Sequence, residues 1–208
     1  MDKQYPMDLG YREIFSKQDF CVFPGNQQAM AWVDRWPDWP SAMLVLVGPE
    51  GAGKTHLLHA WLEQTRGHGH AACATLDDID RMIGNLDAEK DILHRYNLTR
   101  EEGGFILAAA SSMPATWSFK LPDLASRILS VPAILMGPPD DGALAAILVK
   151  LFSDRQIYVT QDVVGFIVSR CERSVPALKK IVEQLDHAAM AQKRAITVPF
   201  AKQVLGFL

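Results

Sequence analysis

Apolar and polar positions change rhythm twice along this chain. Residues 26–36 set Ala29, Trp32, Val33 and Trp36 at i, i+3, i+4 and i+7, the spacing of one helical face. Pro37 and Pro40 interrupt that period. Residues 42–47 are then a continuous apolar run closed by Gly48, which predicts a strand covered on both faces. Residues 54–66 have helix-forming composition and stop at Gly67-His68-Gly69. Three more apolar runs follow: 71–76 before Asp77-Asp78, 105–110 before Ser111-Ser112, and 131–136 before Gly137-Pro138-Pro139. A helix over 87–102 and a shorter one over 121–128 separate them. Strands alternating with helices predict an α/β fold with a mostly parallel sheet.

Beyond residue 140 the helical period stands alone. Leu144, Ile147, Leu148 and Leu151 form one stripe, Val163, Val164, Ile167 and Val168 a second, and Leu178, Ile181, Val182 and Leu185 a third. Thr197 before Pro199 marks the start of a last short helix. The first twenty residues mix Pro, Gly and charge without a sustained period. The expected organisation is a tail (1–18), an α/β core (19–138) and a helical domain (139–208).

Composition narrows the function. No apolar run approaches the roughly 20 residues that span a bilayer, and no apolar leader opens the chain, so a cytoplasmic protein without a membrane contact is expected. Lys plus Arg number 21 against 24 Asp plus Glu, a formal charge of −3, which argues against a DNA binder held by a basic face. Cys21, Cys73 and Cys171 are scattered, with neither a disulfide framework nor zinc-ligand spacing.

The strongest chemical signal is Gly48-Pro49-Glu50-Gly51-Ala52-Gly53-Lys54-Thr55, the pattern G-x-x-x-x-G-K-S/T between a strand and a helix. Its glycines let the backbone curl so that N–H groups surround a phosphate, and the helix start adds partial positive charge. This segment with His56 is the candidate site for ADP or ATP. Lys54 would reach the β- and γ-phosphates, and the Thr55 hydroxyl would ligate Mg²⁺. Asp77 closes the second apolar run, where the second acidic element of a P-loop NTPase holds the metal. Asp78 is either the group that orients an attacking water or the polar end of a strand. Arg127 either pairs on the surface or reaches a phosphate bound by a neighbouring subunit. His56 and His59, at i and i+3, read as packing or surface histidines rather than metal ligands. Trp32, Trp36 and Trp39 read as core packing rather than a base-stacking platform, and Lys179-Lys180 as a solvated helix face.

These motifs resemble a known family. Gly53-Lys54-Thr55-His56-Leu57-Leu58-His59-Ala60, the lead-in Asp19-Phe20-Cys21-Val22 with Gly25-Asn26, the segment from Leu121 to Arg127, and Gln184-Leu185-Asp186 through Ile196-Thr197-Val198-Pro199-Phe200 are similar to the Hda/DnaA-related AAA+ family. The resemblance covers nearly the whole chain. It implies an AAA+ P-loop core with a C-terminal helical lid, and a regulator of replication initiation that promotes hydrolysis of ATP bound to the DnaA initiator while tethered to the DNA polymerase III sliding clamp. The clamp contact in such regulators is a short N-terminal peptide beginning with Gln; here Gln4-Tyr5-Pro6-Met7-Asp8-Leu9 is similar. No helix-turn-helix follows Leu208, so sequence-specific DNA reading is not expected, and self-association is left open.

Two departures qualify what the resemblance implies. Between Thr55 and Asp77 there is room for one helix, a turn and one strand, one βα unit fewer than AAA+ cores normally hold. A sheet of four parallel strands with a bare edge is then expected; the alternative makes 71–76 the second strand of the family and leaves no acidic strand. The lid position that would carry a phosphate-sensing arginine falls on Pro176, and Ser111 stands near the first sensor position. The chain is therefore expected to activate a partner's ATPase rather than turn over ATP itself. The alternatives are a stand-alone, helicase-loader-like ATPase and a non-catalytic clamp-bound adaptor.

Overall fold

The computed structural model describes residues 20–67 and 72–206. Helix α1 (Gln27–Asp34) leads into strand β1 (Met43–Val47), followed by α2 (Lys54–Gly67), β2 (Ala74–Leu76), α3 (Ile79–Met82), α4 (Leu86–Glu101), β3 (Ile106–Ala110), α5 (Pro122–Ser130) and β4 (Ala133–Leu135). The strands form one parallel sheet in the order β2-β3-β1-β4. That is the four-stranded sheet expected of a core one βα unit short, and among the described residues β2 is bonded on one side only, to β3.

Strand β1 is central, paired with β3 from Met43↔Ile106 to Val47↔Ala110 and with β4 from Val45↔Ala133 to Val47↔Leu135. All five of its residues are buried, as the uninterrupted apolar run requires. The pleat then divides them between two cores. Leu44 and Leu46 pack with Val33, Trp36, Trp39, Leu57 and Trp61 of α1, α2 and their connections. Met43, Val45 and Val47 face Ile79, Ile92, Tyr96, Leu124 and Ile128 of α3, α4 and α5. Trp36 and Trp39 are thus core residues, with Trp39 stacked on Trp61 at 5.4 Å and 18°.

A third core joins α6 (Asp141–Ser153), α7 (Gln161–Val168), α8 (Val175–Gln192) and α9 (Val198–Leu205). The three predicted stripes meet there: Leu144 and Leu148, Val163 and Ile167, Leu178 and Leu185. Side chains cap three of the four helices: Asp140 accepts from Ala143 N at 2.7 Å, Ser174 from Ala177 N at 3.2 Å and Thr197 from Phe200 N at 3.4 Å. Sequence periodicity missed α3, a single turn too short to show a period.

Candidate functional site

In a parallel sheet every strand delivers its C-terminal end to the same edge, so Gly48, Asp77 and Ser111 gather there. After Val47 the chain turns back with Gly51 at φ +78° and Gly53 at φ +92°, a region that side chains bearing a Cβ avoid. Helix α2 then starts at Lys54, so its unpaired N–H groups and positive dipole end face the turn. Lys54 is 8% exposed, and its Nζ donates to Gly48 O at 2.6 Å and Pro49 O at 2.9 Å. Burial lowers its pKa, opposed by the carboxylates of Asp77, Asp78, Asp80 and Glu50. The result is a cradle that sets the Lys54 ammonium beside the N-terminal end of α2, the chemistry that suits a polyphosphate. Pro49 and Glu50 lie exposed on its outer side, and Ala52 is buried beneath it.

The acidic element stands beside the cradle. Thr55 Oγ1 donates to Asp77 Oδ2 at 2.7 Å, joining the first turn of α2 to the end of β2. The run ending at residue 76 is therefore the acidic strand, and the alternative assignment with no such strand does not hold. Asp77 Oδ1 also accepts from Asp78 N at 3.0 Å. Asp78 takes a left-handed conformation at the start of α3, and its carboxylate pairs with Arg81 at 3.0 Å. The acid that reaches β3 is Asp80, which the sequence reading passed over: its Oδ2 accepts from Ser111 N at 2.9 Å and from Ser112 Oγ at 3.3 Å. Its signal was the spacing, one α3 turn after Asp77.

Two segments border the cradle. Phe20 from the lead-in lies edge-on to His56 at 5.4 Å, and a Cβ on Gly53 would come within 3.1 Å of its ring. Asn26 fixes this lead-in, accepting from Phe23 N and donating to Cys21 O, both at 2.9 Å. From the other side comes the start of α8: a Cβ on Gly51 would collide with Ser174. Pro176 occupies the exposed first turn of α8, while Arg173 pairs with Asp141 at 2.8 Å.

Arg127 lies apart from these groups. Helix α5 ends at Ser130, just before β4 begins at Ala133 opposite Val45, so Arg127, in its second half, leads toward the start of β4 and away from the strand ends that carry the phosphate loop. Its Nε donates to Asp123 at 3.2 Å and its Cζ lies 5.6 Å from the Tyr96 ring centroid. Glu89, also missed by the sequence reading, is 0% exposed and receives backbone N–H groups from Gly84, Lys120 and Leu121. A carboxylate within the buried α4 stripe of Ile92, Tyr96 and Thr99 was the signal that could have found it. Residues 4–9 lie outside the described residues. Burial pushes the Cys73 and Cys171 thiols up, leaving them poor nucleophiles. Among the described residues no helix is long and apolar enough to cross a membrane.

A four-stranded parallel sheet with a phosphate-loop turn, an acidic strand end and a four-helix lid defines an AAA+ P-loop fold. The structure is similar to domain III of the Thermotoga maritima replication initiation protein DnaA, with 18% identity, a TM-score of 0.79, and 94% of this chain and 97% of that one covered. It is also similar to AMPPCP-bound DnaA from Aquifex aeolicus (16%, TM-score 0.72, 84% and 66% covered) and to the Thermotoga maritima RuvB Holliday junction branch migration motor (16%, 0.66, 93% and 72%). Residues 140–205 match the family model of the Hda lid domain. The lid thus carries a sequence match of its own, and the chain as a whole shares its fold with these structures.

Proposed function

We propose that the chain is a DnaA-related regulator of replication initiation. It holds ADP or ATP in its own cradle, and it offers Arg127 to the ATP site of a DnaA-type initiator, whose hydrolysis it promotes. The observation that carries this reading is the placement of Arg127 on α5, toward the sheet edge opposite the chain's own phosphate loop, where it can serve another molecule's nucleotide. Lys54 would neutralise the β- and γ-phosphates, and Thr55 with Asp77 would hold Mg²⁺. Mg²⁺ commonly takes one or two protein ligands and completes its shell with phosphate and water, which this donor pair fits; when bound it would supply charge neutralisation on the phosphates. Pro176 brings no cation to those phosphates, which favours a partner-directed role over a stand-alone motor. The division into tail 1–18, core 19–138 and lid 139–208 belongs to the same proposal, with residues 4–9 as the segment that binds the sliding clamp.

An arginine supplied in trans stabilises charge that develops as the phosphoryl group leaves, an effect of about 10³ to 10⁵-fold in GTPases. Lys keeps the charge but loses the planar fork. Arg127→Ala and Arg127→Lys should both bind nucleotide as the parent does, yet lose at least about 10²-fold of the stimulation of initiator hydrolysis on clamp-loaded DNA. Lys54→Ala, the comparator, should lose nucleotide binding instead. Equal stimulation by Arg127→Ala and parent would defeat the reading.

A further inference from the structure

We propose that Glu89 is a positioning residue that sets Arg127 for its partner; this rests on the trans reading above. The carboxylate is buried at 0% exposure within α4. Its Oε1 accepts from Gly84 N at 2.7 Å and Lys120 N at 3.0 Å, and its Oε2 from Lys120 N at 3.0 Å and Leu121 N at 2.6 Å. Leu121 is the N-cap of α5 and makes no side-chain cap bond; Pro122 follows within the first turn. A leucine cannot cap and a proline has no N–H to give, so the start of α5 finds its acceptor, and a negative charge at its positive dipole end, on another helix.

A second seat lies two turns along the same α4 stripe, where the Tyr96 ring sits 5.6 Å from Arg127 Cζ. Seven residues of α4 from Glu89 to Tyr96 rise about 10 Å, and six of α5 from Leu121 to Arg127 rise about 9 Å. The two helices therefore run alongside each other with matched seats at both ends. Leu124 and Ile128 bury the inner face of α5 against the core they share with α4, and the Glu89 bonds fix the height of its first residue along α4. Placement matters for a guanidinium that must meet a phosphate on a second molecule, because a displacement of about 1 Å can cost roughly 10²-fold in rate. The partners of Glu89, Gly84, Lys120 and Leu121, all lie outside the phosphate loop, so the effect is separable from the chain's own nucleotide binding.

The test compares parent, Glu89→Gln, Glu89→Asp and Arg127→Ala for three readouts: affinity for labelled ADP, amide exchange at Lys120 and Leu121, and stimulation of DnaA hydrolysis over a titration of regulator. Gln keeps the size but turns an amide NH₂ toward backbone donors; Asp keeps the charge but is a methylene short. Both variants should bind ADP within about twofold of parent and exchange the Lys120 and Leu121 amides faster. Their maximal stimulation should fall at least about tenfold, with the half-saturating concentration little changed. If Arg127→Ala loses stimulation while both Glu89 variants match the parent, this inference alone falls. Loss of fold or ADP affinity in both variants also overturns it, by making Glu89 a general strut of the core. A parent that does not stimulate brings down the trans reading, and this inference with it.

Discussion

Gly51 shows how much a single backbone angle can carry. At φ +78° it lets the phosphate turn close, and its missing Cβ lets Ser174, at the start of α8, lie against it. Ser174 is itself buried and caps Ala177 N, so it cannot withdraw without loosening the helix. Gly51→Ala faces both penalties, since a left-handed conformation costs a Cβ-bearing residue roughly 1 to 2 kcal/mol before any collision. The variant should keep its fold, lose about that much stability, and bind nucleotide several-fold more weakly because lid and turn can no longer meet. Chemical denaturation and an ADP titration would check both; undiminished affinity would mean that the contact is dispensable. Lys54, one turn away, spends its charge on Gly48 and Pro49 carbonyls, bonds that phosphate oxygens can replace.

Helices α4 and α5 illustrate what an element contributes that its sequence does not announce. Burial works to raise the Glu89 pKa, but the backbone donors from Gly84, Lys120 and Leu121, with Lys120 nearby, outweigh it and hold the carboxyl below its usual range. An unfolded Glu takes up its proton near pH 4. The stabilisation is therefore complete above that pH and is lost as pH falls through the lower folded value. Glu89→Gln should cost about 2 to 3 kcal/mol at pH 7, because an amide cannot satisfy these donors without confronting one. The gap to the parent should shrink toward pH 3, since Gln has no proton to take up, and thermal unfolding across this range would show it; a constant gap would deny the charge its role. The strands, the phosphate turn and the three lid stripes were legible in the sequence because each carries a local period or a fixed spacing. Glu89 and Asp80 were not, because their value lies in backbone donors 31 residues downstream, at Lys120 and Ser111, and no local pattern encodes that distance. Arg127 stood between the two cases: its helix could be read, but its edge of the sheet required the topology.

At the scale of the molecule, two cores share one sheet and a third sits in the lid, and the described residues that build them run from Phe20 to Leu205. Deleting residues 1–10 should accordingly leave the melting temperature nearly unchanged while abolishing co-elution with a bacterial sliding clamp; retention of the clamp by the truncated chain would refute the assignment of residues 4–9. The aromatic core beneath the phosphate turn has an optical consequence. Trp61 is 1% exposed on α2, two turns beyond Lys54, with Trp39 stacked on it at 5.4 Å and Trp36 edge-on at 6.2 Å. Indoles this close exchange excitation energy, and indoles this dry emit toward the blue. The helix that would hold the phosphates thus carries its own fluorophore, and a small tilt of α2 on binding would register in the emission colour of the unlabelled protein.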